Sequence, residues 1–174
     1  ALELFSNDSV KIVCEHKGIP RPFDTEAPYY LLVEFENDAE ATESLVLDAF
    51  EQCSNEGWVL DGVMSQSEQQ AKTLWRLRED ISESISHYSP YKNDLAVKVS
   101  NIPVFLERLD KLVDEHYPEF KVLWYGHIGD GNLHLNILKP ADMKHEVFVE
   151  ACTKVNPHVF QLVKDLDGSI SAEH

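Results

Sequence analysis

Residues 125–137 read YGHIGDGNLHLNI. Asp130-Gly131 is a strong tight-turn signal between two runs of strand-forming residues, so the stretch predicts a β-hairpin. Beyond the turn, Leu133, Leu135 and Ile137 alternate with His134 and Asn136. That alternation sends the apolar side chains to one sheet face and the polar ones to the other, with His127 and Tyr125 beside the polar set. With a two-residue loop His127 faces His134, and directly opposed side chains have Cβ atoms roughly 4.5–5.5 Å apart. Two imidazoles so placed can converge on one cation at about 2.0–2.1 Å per bond. They can equally be incidental neighbours on an exposed strand face, and a catalytic metal normally needs a third protein ligand. Gly129-x-Gly131 is no dinucleotide fingerprint, because the third glycine and the following helix are missing.

Outward from the hairpin, hydrophobic periodicity and punctuation place the other elements. Asn7-Asp8-Ser9 opens a short helix with Val10, Val13 and Cys14 on one face, stopped by Gly18 and Pro20. Residues 18–28 carry Pro20, Pro22 and Pro28 and read as a connector. PYYLLVEFE (28–36), WVLDGVM (58–64), NDLAVKV (93–99), KVLWYGHI (121–128) and NLHLNIL (132–138) read as strands. Between the first two, Asp38 can cap a helix with the stripe Leu45, Val46, Ala49, Phe50 and Cys53, ended by Gly57. Ser67 with Gln70 forms a capping box for a long helix to about His87. Pro103 starts a helix through Leu106, Leu109, Leu112 and Val113 that Pro118 closes. A last helical region begins near Lys144 and ends at Gly168; Pro157 either kinks it or opens a second helix after an Asn156 cap. The order is not the even βαβ alternation of a doubly wound sheet. It predicts an α+β fold, broadly ferredoxin-like: a largely antiparallel sheet with helices packed on one face.

One residue breaks the helical pattern. At about 100° per residue, Ala71, Leu74, Trp75, Ile81 and Ile85 define an apolar stripe, and Arg78 falls in its middle with Ser82 one turn on. A guanidinium on a packing face must meet an anion. That anion is either an internal Asp or Glu, or a ligand carboxylate held by the planar fork. Lys92, in the next loop, reads by itself as a solvated surface lysine.

Composition narrows the partners. The formal charge is −16 over 174 residues, a surface that repels phosphate backbones and excludes nucleic acid. No apolar run approaches the ~20 residues that span a bilayer, and no signal-peptide pattern is visible. The chain opens on Ala1 rather than Met, as a processed chain or an excised segment would. Cys14, Cys53 and Cys152 are odd in number without a C-x-x-C pair, so buried free thiols in a reducing compartment are expected.

The hairpin stretch, SISAEH at 169–174, WRLREDIS at 75–82 and YKNDLAV at 91–97 together resemble the C-terminal domain of FAD-linked oxidases of the vanillyl-alcohol-oxidase type. The likeness is greatest to the branch that oxidises D-2-hydroxyglutarate, D-lactate or glycolate, and it covers nearly the whole chain. It implies that residues 1–174 are a substrate and cap domain whose FAD-binding domain precedes it in the parent chain. It also implies a metal held by His127, His134 and Glu173, with His174 as the catalytic base. Arg78 and Lys92 would hold the substrate carboxylate, Asn136 would contact substrate, and Ser82, also a substrate-binding position, would stand where the family often has Thr. The Arg-to-Lys spacing is one residue shorter than in some relatives. The implied cofactors are FAD and a divalent metal, zinc first, with manganese or iron(II) also suited to N/O ligands. The implied reaction is oxidation of a small D-2-hydroxy acid to a 2-oxo acid, with an unspecified electron acceptor downstream. The isolated segment is expected to bind no FAD and to be inactive, and the parent to lie in bacterial cytoplasm or mitochondrial matrix. Two alternatives from other classes stay open: a ferredoxin-like module that binds small carboxylates without chemistry, and a metal-dependent hydrolase.

Overall fold

The computed structural model describes residues 1–36 and 40–170. Six strands form one sheet: β1 (Leu2–Ser6), β2 (Tyr29–Val33), β3 (Tyr91–Ala96), β4 (Lys121–His127), β5 (Asn132–Leu138) and β6 (Ser169–Ile170). Their spatial order is β2-β1-β4-β5-β3-β6, and every recorded pairing is antiparallel. The helices are α1 (Asn7–Lys17), α2 (Glu40–Asn55), α3 (Glu68–Glu79), α4 (Ile81–Ile85), α5 (Ile102–His116) and α6 (His145–Asp165). The α+β class and the antiparallel sheet read from the sequence are what the chain forms.

The expected apolar face is covered as predicted. Leu95, Trp124, Leu133, Leu135 and Ile137 pack against Phe105 and Leu109 of α5 and against Phe148, Cys152, Val159 and Val163 of α6. The expectation of helices on one face only is not met: a second helical layer lies on part of the opposite face, where Phe5, Leu123 and Tyr125 meet Val10 and Val13 of α1, Leu77 of α3, and Ile81 and Ile85 of α4. Two-residue alternation explains how one strand serves both layers: in β4, Trp124 points one way and its neighbours Leu123 and Tyr125 the other. The remainder of this second face carries the polar side chains.

Several local expectations are revised. β1 was not foreseen, because Glu3 in the middle of LELFS reads as a surface charge; the structure buries it to 4% exposure. WVLDGVM forms no strand. β1 takes the position beside β2, nothing among the described residues pairs with the outer edge of β2, and Trp58, Leu60 and Val63 stay exposed. The long helix foreseen from Ser67 to His87 breaks at Asp80 (φ −76°, ψ −2°) into α3 and α4, followed by a short 3₁₀ turn. Only half of its N-terminal box forms: Ser67 Oγ accepts from the Gln70 amide at 3.2 Å, but Gln70 Oε1 accepts from the Gln66 amide at 2.6 Å rather than from that of Ser67. Pro157 sits inside an unbroken α6. All three cysteines are free thiols, but Cys152 alone is fully buried; Cys14 and Cys53 are half-buried. The cap at Asp38 and the pair Glu173 and His174 lie outside the described residues.

Candidate functional site

The site is assembled by strand register. Across the four adjacent strands β1, β4, β5 and β3, Glu3 stands opposite His127, Tyr125 opposite His134, His134 opposite Asp94, and Asn136 opposite Lys92. All project to the face that α5 and α6 do not cover. The direct opposition of His127 and His134 expected from a two-residue loop is not what forms. A 3₁₀ turn over Ile128–Asp130, closed by Gly131 at φ +75°, lengthens the loop and shifts the register by two residues. The Gly131 amide donates to Ile128 O at 3.1 Å, and Gly131 O accepts from the Val97 amide at 3.0 Å. An even shift preserves the face. The two imidazoles therefore remain neighbours on one side, diagonal rather than opposed, with ring centroids 6.1 Å apart and planes at 82°.

Each histidine is tied to a carboxylate. Glu3 Oε1 accepts from His127 Nδ1 at 2.7 Å, and Asp94 Oδ1 is paired with His134 Nδ1. Arg78 reaches the same place from the last turn of α3. Its Nε donates to Glu3 Oε2 at 2.8 Å, its guanidinium lies 4.7 Å above the Tyr125 ring centroid, and one terminal nitrogen stands 3.5 Å from His127 Nε2. The internal-anion reading of Arg78 is thus realised, and that anion sits beside His127 rather than far from it. With Nε engaged by Glu3, one terminal nitrogen of Arg78 faces His127.

The other sequence candidates join the group. Lys92, expected in a loop, lies on β3, and its Nζ donates to Ser82 Oγ at 3.3 Å. Asn136 is fully buried; its Nδ2 donates to His134 O at 3.3 Å, while its Oδ1 has no partner among the described residues. A buried amide oxygen left without a donor is costly. Burial pushes the Tyr125 hydroxyl above its ordinary pKa; hydrogen bonds from Ser82 and Asn136 and the Arg78 charge act the other way. Among the described residues, no three His, Cys, Asp or Glu side chains are gathered in a metal-ready group. Two functional-looking residues escaped sequence reasoning, Glu3 and Asp94. Only the positions of these carboxylates inside strand-forming runs could have signalled them.

The whole chain, residues 1–174, matches the family model described as FAD linked oxidases, C-terminal domain. The chain belongs to this family. Its similarities within curated proteins follow the same line. It is 53% identical over 174 residues to a D-2-hydroxyglutarate dehydrogenase of Stutzerimonas stutzeri, covering 100% of this chain and 38% of that protein. It is 48% identical over 174 residues to a D-2-hydroxyglutarate dehydrogenase of Xanthomonas citri pv. viticola, covering 100% of this chain and 37% of that protein. It is 35% identical over 192 aligned residues to a putative mitochondrial D-lactate dehydrogenase of Schizosaccharomyces pombe, covering 100% and 34% respectively. The chain thus spans little more than a third of the length of these three relatives. FAD is the cofactor of the family. No helix among the described residues is long and apolar enough to cross a membrane.

Proposed function

We propose that this FAD-linked oxidase C-terminal domain is the substrate-binding and cap part of a metal-assisted dehydrogenase that oxidises a D-2-hydroxy acid to a 2-oxo acid. The carrying observation is the gathering of Arg78, Lys92, Asn136, His127 and His134 on one sheet face from three strands and a helix. The parent chain would supply the FAD-binding domain as this domain's partner; the chain's share of its relatives' length and its family description support that. The names of the relatives make D-2-hydroxyglutarate the first substrate to test and D-lactate the second. The two bacterial relatives, and the mitochondrial label of the fission-yeast protein, favour cytoplasm or mitochondrial matrix as the location.

The roles follow from chemistry. Arg78 and Lys92 bind the substrate carboxylate; an anionic acid meets these two cations although the chain as a whole carries −16. Asn136 contacts the substrate and so orients it. Ser82 holds Lys92 in place. The donor set suits a divalent ion, zinc first: His127, His134 and Glu173 would hold it, two neutral nitrogens and a carboxylate being ordinary zinc ligands. When bound, the flavin supplies the two-electron oxidation and the ion supplies Lewis acidity. His174 takes the proton of the substrate hydroxyl at a ring nitrogen, the general-base work that imidazole side chains commonly do.

The test uses the flavin-containing parent protein. Dye reduction is measured with D-2-hydroxyglutarate, D-lactate, D-malate and glycolate, together with metal content. His127→Ala should abolish metal-dependent turnover and leave flavin content intact; unchanged turnover rejects the ligand assignment. The 174-residue chain alone should be colourless and inactive.

A further inference from the structure

Four adjacent strands carry, in spatial order, Glu3, His127, His134 and Asp94: a carboxylate, two imidazoles and a carboxylate. Each acid is the direct cross-strand partner of its histidine, and each meets that histidine at Nδ1. An ionised carboxylate can only accept hydrogen bonds, so Nδ1 of each ring carries the proton. We propose that Glu3 and Asp94 are positioning residues that fix His127 and His134 as Nδ1–H tautomers, aiming both Nε2 lone pairs away from the flanking acids toward one cation. The tautomer assignment stands on the hydrogen bonds alone; its consequence for a cation rests on the metal reading above.

Three features favour this over two incidental ion pairs. The two nitrogens of an imidazole point away from each other, so tethering Nδ1 outward leaves Nε2 on the inner side of each ring. An Arg78 terminal nitrogen stands 3.5 Å from His127 Nε2; a guanidinium has nothing but donors, so the contact fits a lone pair at that nitrogen, and an ion bound there takes the guanidinium's place. Finally, Glu3 divides its oxygens, Oε1 for His127 and Oε2 for Arg78. One buried carboxylate thereby sets the spacing between the proposed ion ligand and the proposed anion-binding cation. Carboxylates behind ligating histidines fix ring orientation and raise ligand basicity, and their loss typically costs roughly 10–100-fold in metal affinity.

The experiment records long-range ¹H–¹⁵N spectra of ¹⁵N-histidine-labelled, metal-stripped protein at a pH where the rings are neutral, followed by Zn²⁺ titration. In the wild type, Nε2 of His127 and His134 should both show the unprotonated shift. Asp94→Ala should move His134 toward the Nε2–H form that neutral histidine prefers in water, and weaken Zn²⁺ binding roughly 10–100-fold. Asp94→Asn keeps an accepting oxygen and should keep the tautomer. Glu3→Gln cannot satisfy both neighbours as an acceptor, so it should disturb either the His127 tautomer or the Arg78 contact; an unfolded Glu3 variant leaves the Asp94 pair of variants to decide. Protonated Nε2 on either wild-type ring, or undiminished Zn²⁺ affinity in Asp94→Ala, overturns the proposal. Correct tautomers in a wild type that takes up no Zn²⁺ would uphold the tautomer assignment and overturn the ion site.

Discussion

Replacing Arg78 by Met leaves most of the side-chain volume but removes a charge from a place where its neighbours depend on it. The Arg78 side chain is 10% exposed and that of Glu3 5%, so the pair is screened little by solvent. Removing one member of a buried ion pair typically costs about 3–5 kcal/mol, because the other charge is stranded. The stacked contact with the Tyr125 ring contributes about 0.5–2 kcal/mol more. Glu3 keeps His127 as a partner, which offsets part of the loss and puts Arg78→Met near the lower end, at about 3 kcal/mol. Glu3→Leu strands the guanidinium instead and should cost a similar amount. The double variant buries neither charge, and pairs replaced together by apolar residues are often close to neutral. With singles of about 3 kcal/mol each, a double variant within about 2 kcal/mol of wild type gives a coupling of roughly 4–6 kcal/mol, so the double variant should be far more stable than the sum of the singles predicts. Urea unfolding at equilibrium measures it, and each single change should lower Tm by roughly 6–12 °C at about 2–4 °C per kcal/mol for a domain of this size. Additivity within about 0.5 kcal/mol would refute a buried pair, and with it the joint anchoring of Arg78 and His127 by Glu3.

Gly131→Ala should destabilise by more than the about 1–2 kcal/mol that a left-handed residue costs, since its Cβ would stand 1.9 Å from Val97 O; wild-type stability in urea would show that the loop is built differently. Burial, aggravated by Asp114 and partly offset by the Tyr29 hydrogen bond, raises the Asp110 carboxyl above its ordinary value. The folded state then holds that proton more tightly than the unfolded chain, so this group's contribution is lost as pH rises through its folded pKa. Asp110→Asn should gain stability relative to wild type across that window, and parallel stability–pH curves would count against the shift. Burial pushes the Cys152 thiol up to about 11, so iodoacetamide at mildly alkaline pH should label it only after unfolding; rapid labelling of native protein at Cys152 would contradict its burial.

Local pattern went furthest where the structure is local. The turn at Gly131, the alternation of Leu133, Leu135 and Ile137 with His134 and Asn136, and the misplaced Arg78 all rest on spacing along one element, and each survives in the fold. WVLDGVM failed because strand character is a property of a sheet edge that accepts hydrogen bonds, and that is not written in the segment. Glu3 failed for the converse reason: a single carboxylate in a short apolar run looks solvated until an arginine 75 residues away and a histidine 124 residues away are brought to it.

The sequence alone therefore determined the class of fold, the hairpin, the face on which both imidazoles lie and the family motif that surrounds them. Only the tertiary structure decided which of the chain's 31 acidic residues stand behind those imidazoles, and that the rings are diagonal neighbours rather than opposed. Side-chain direction is fixed by the two-residue period of a strand, which any stretch carries within itself. Register and strand order between remote segments are fixed by the packing of both helical layers and by the geometry of the loop, to which the whole chain contributes.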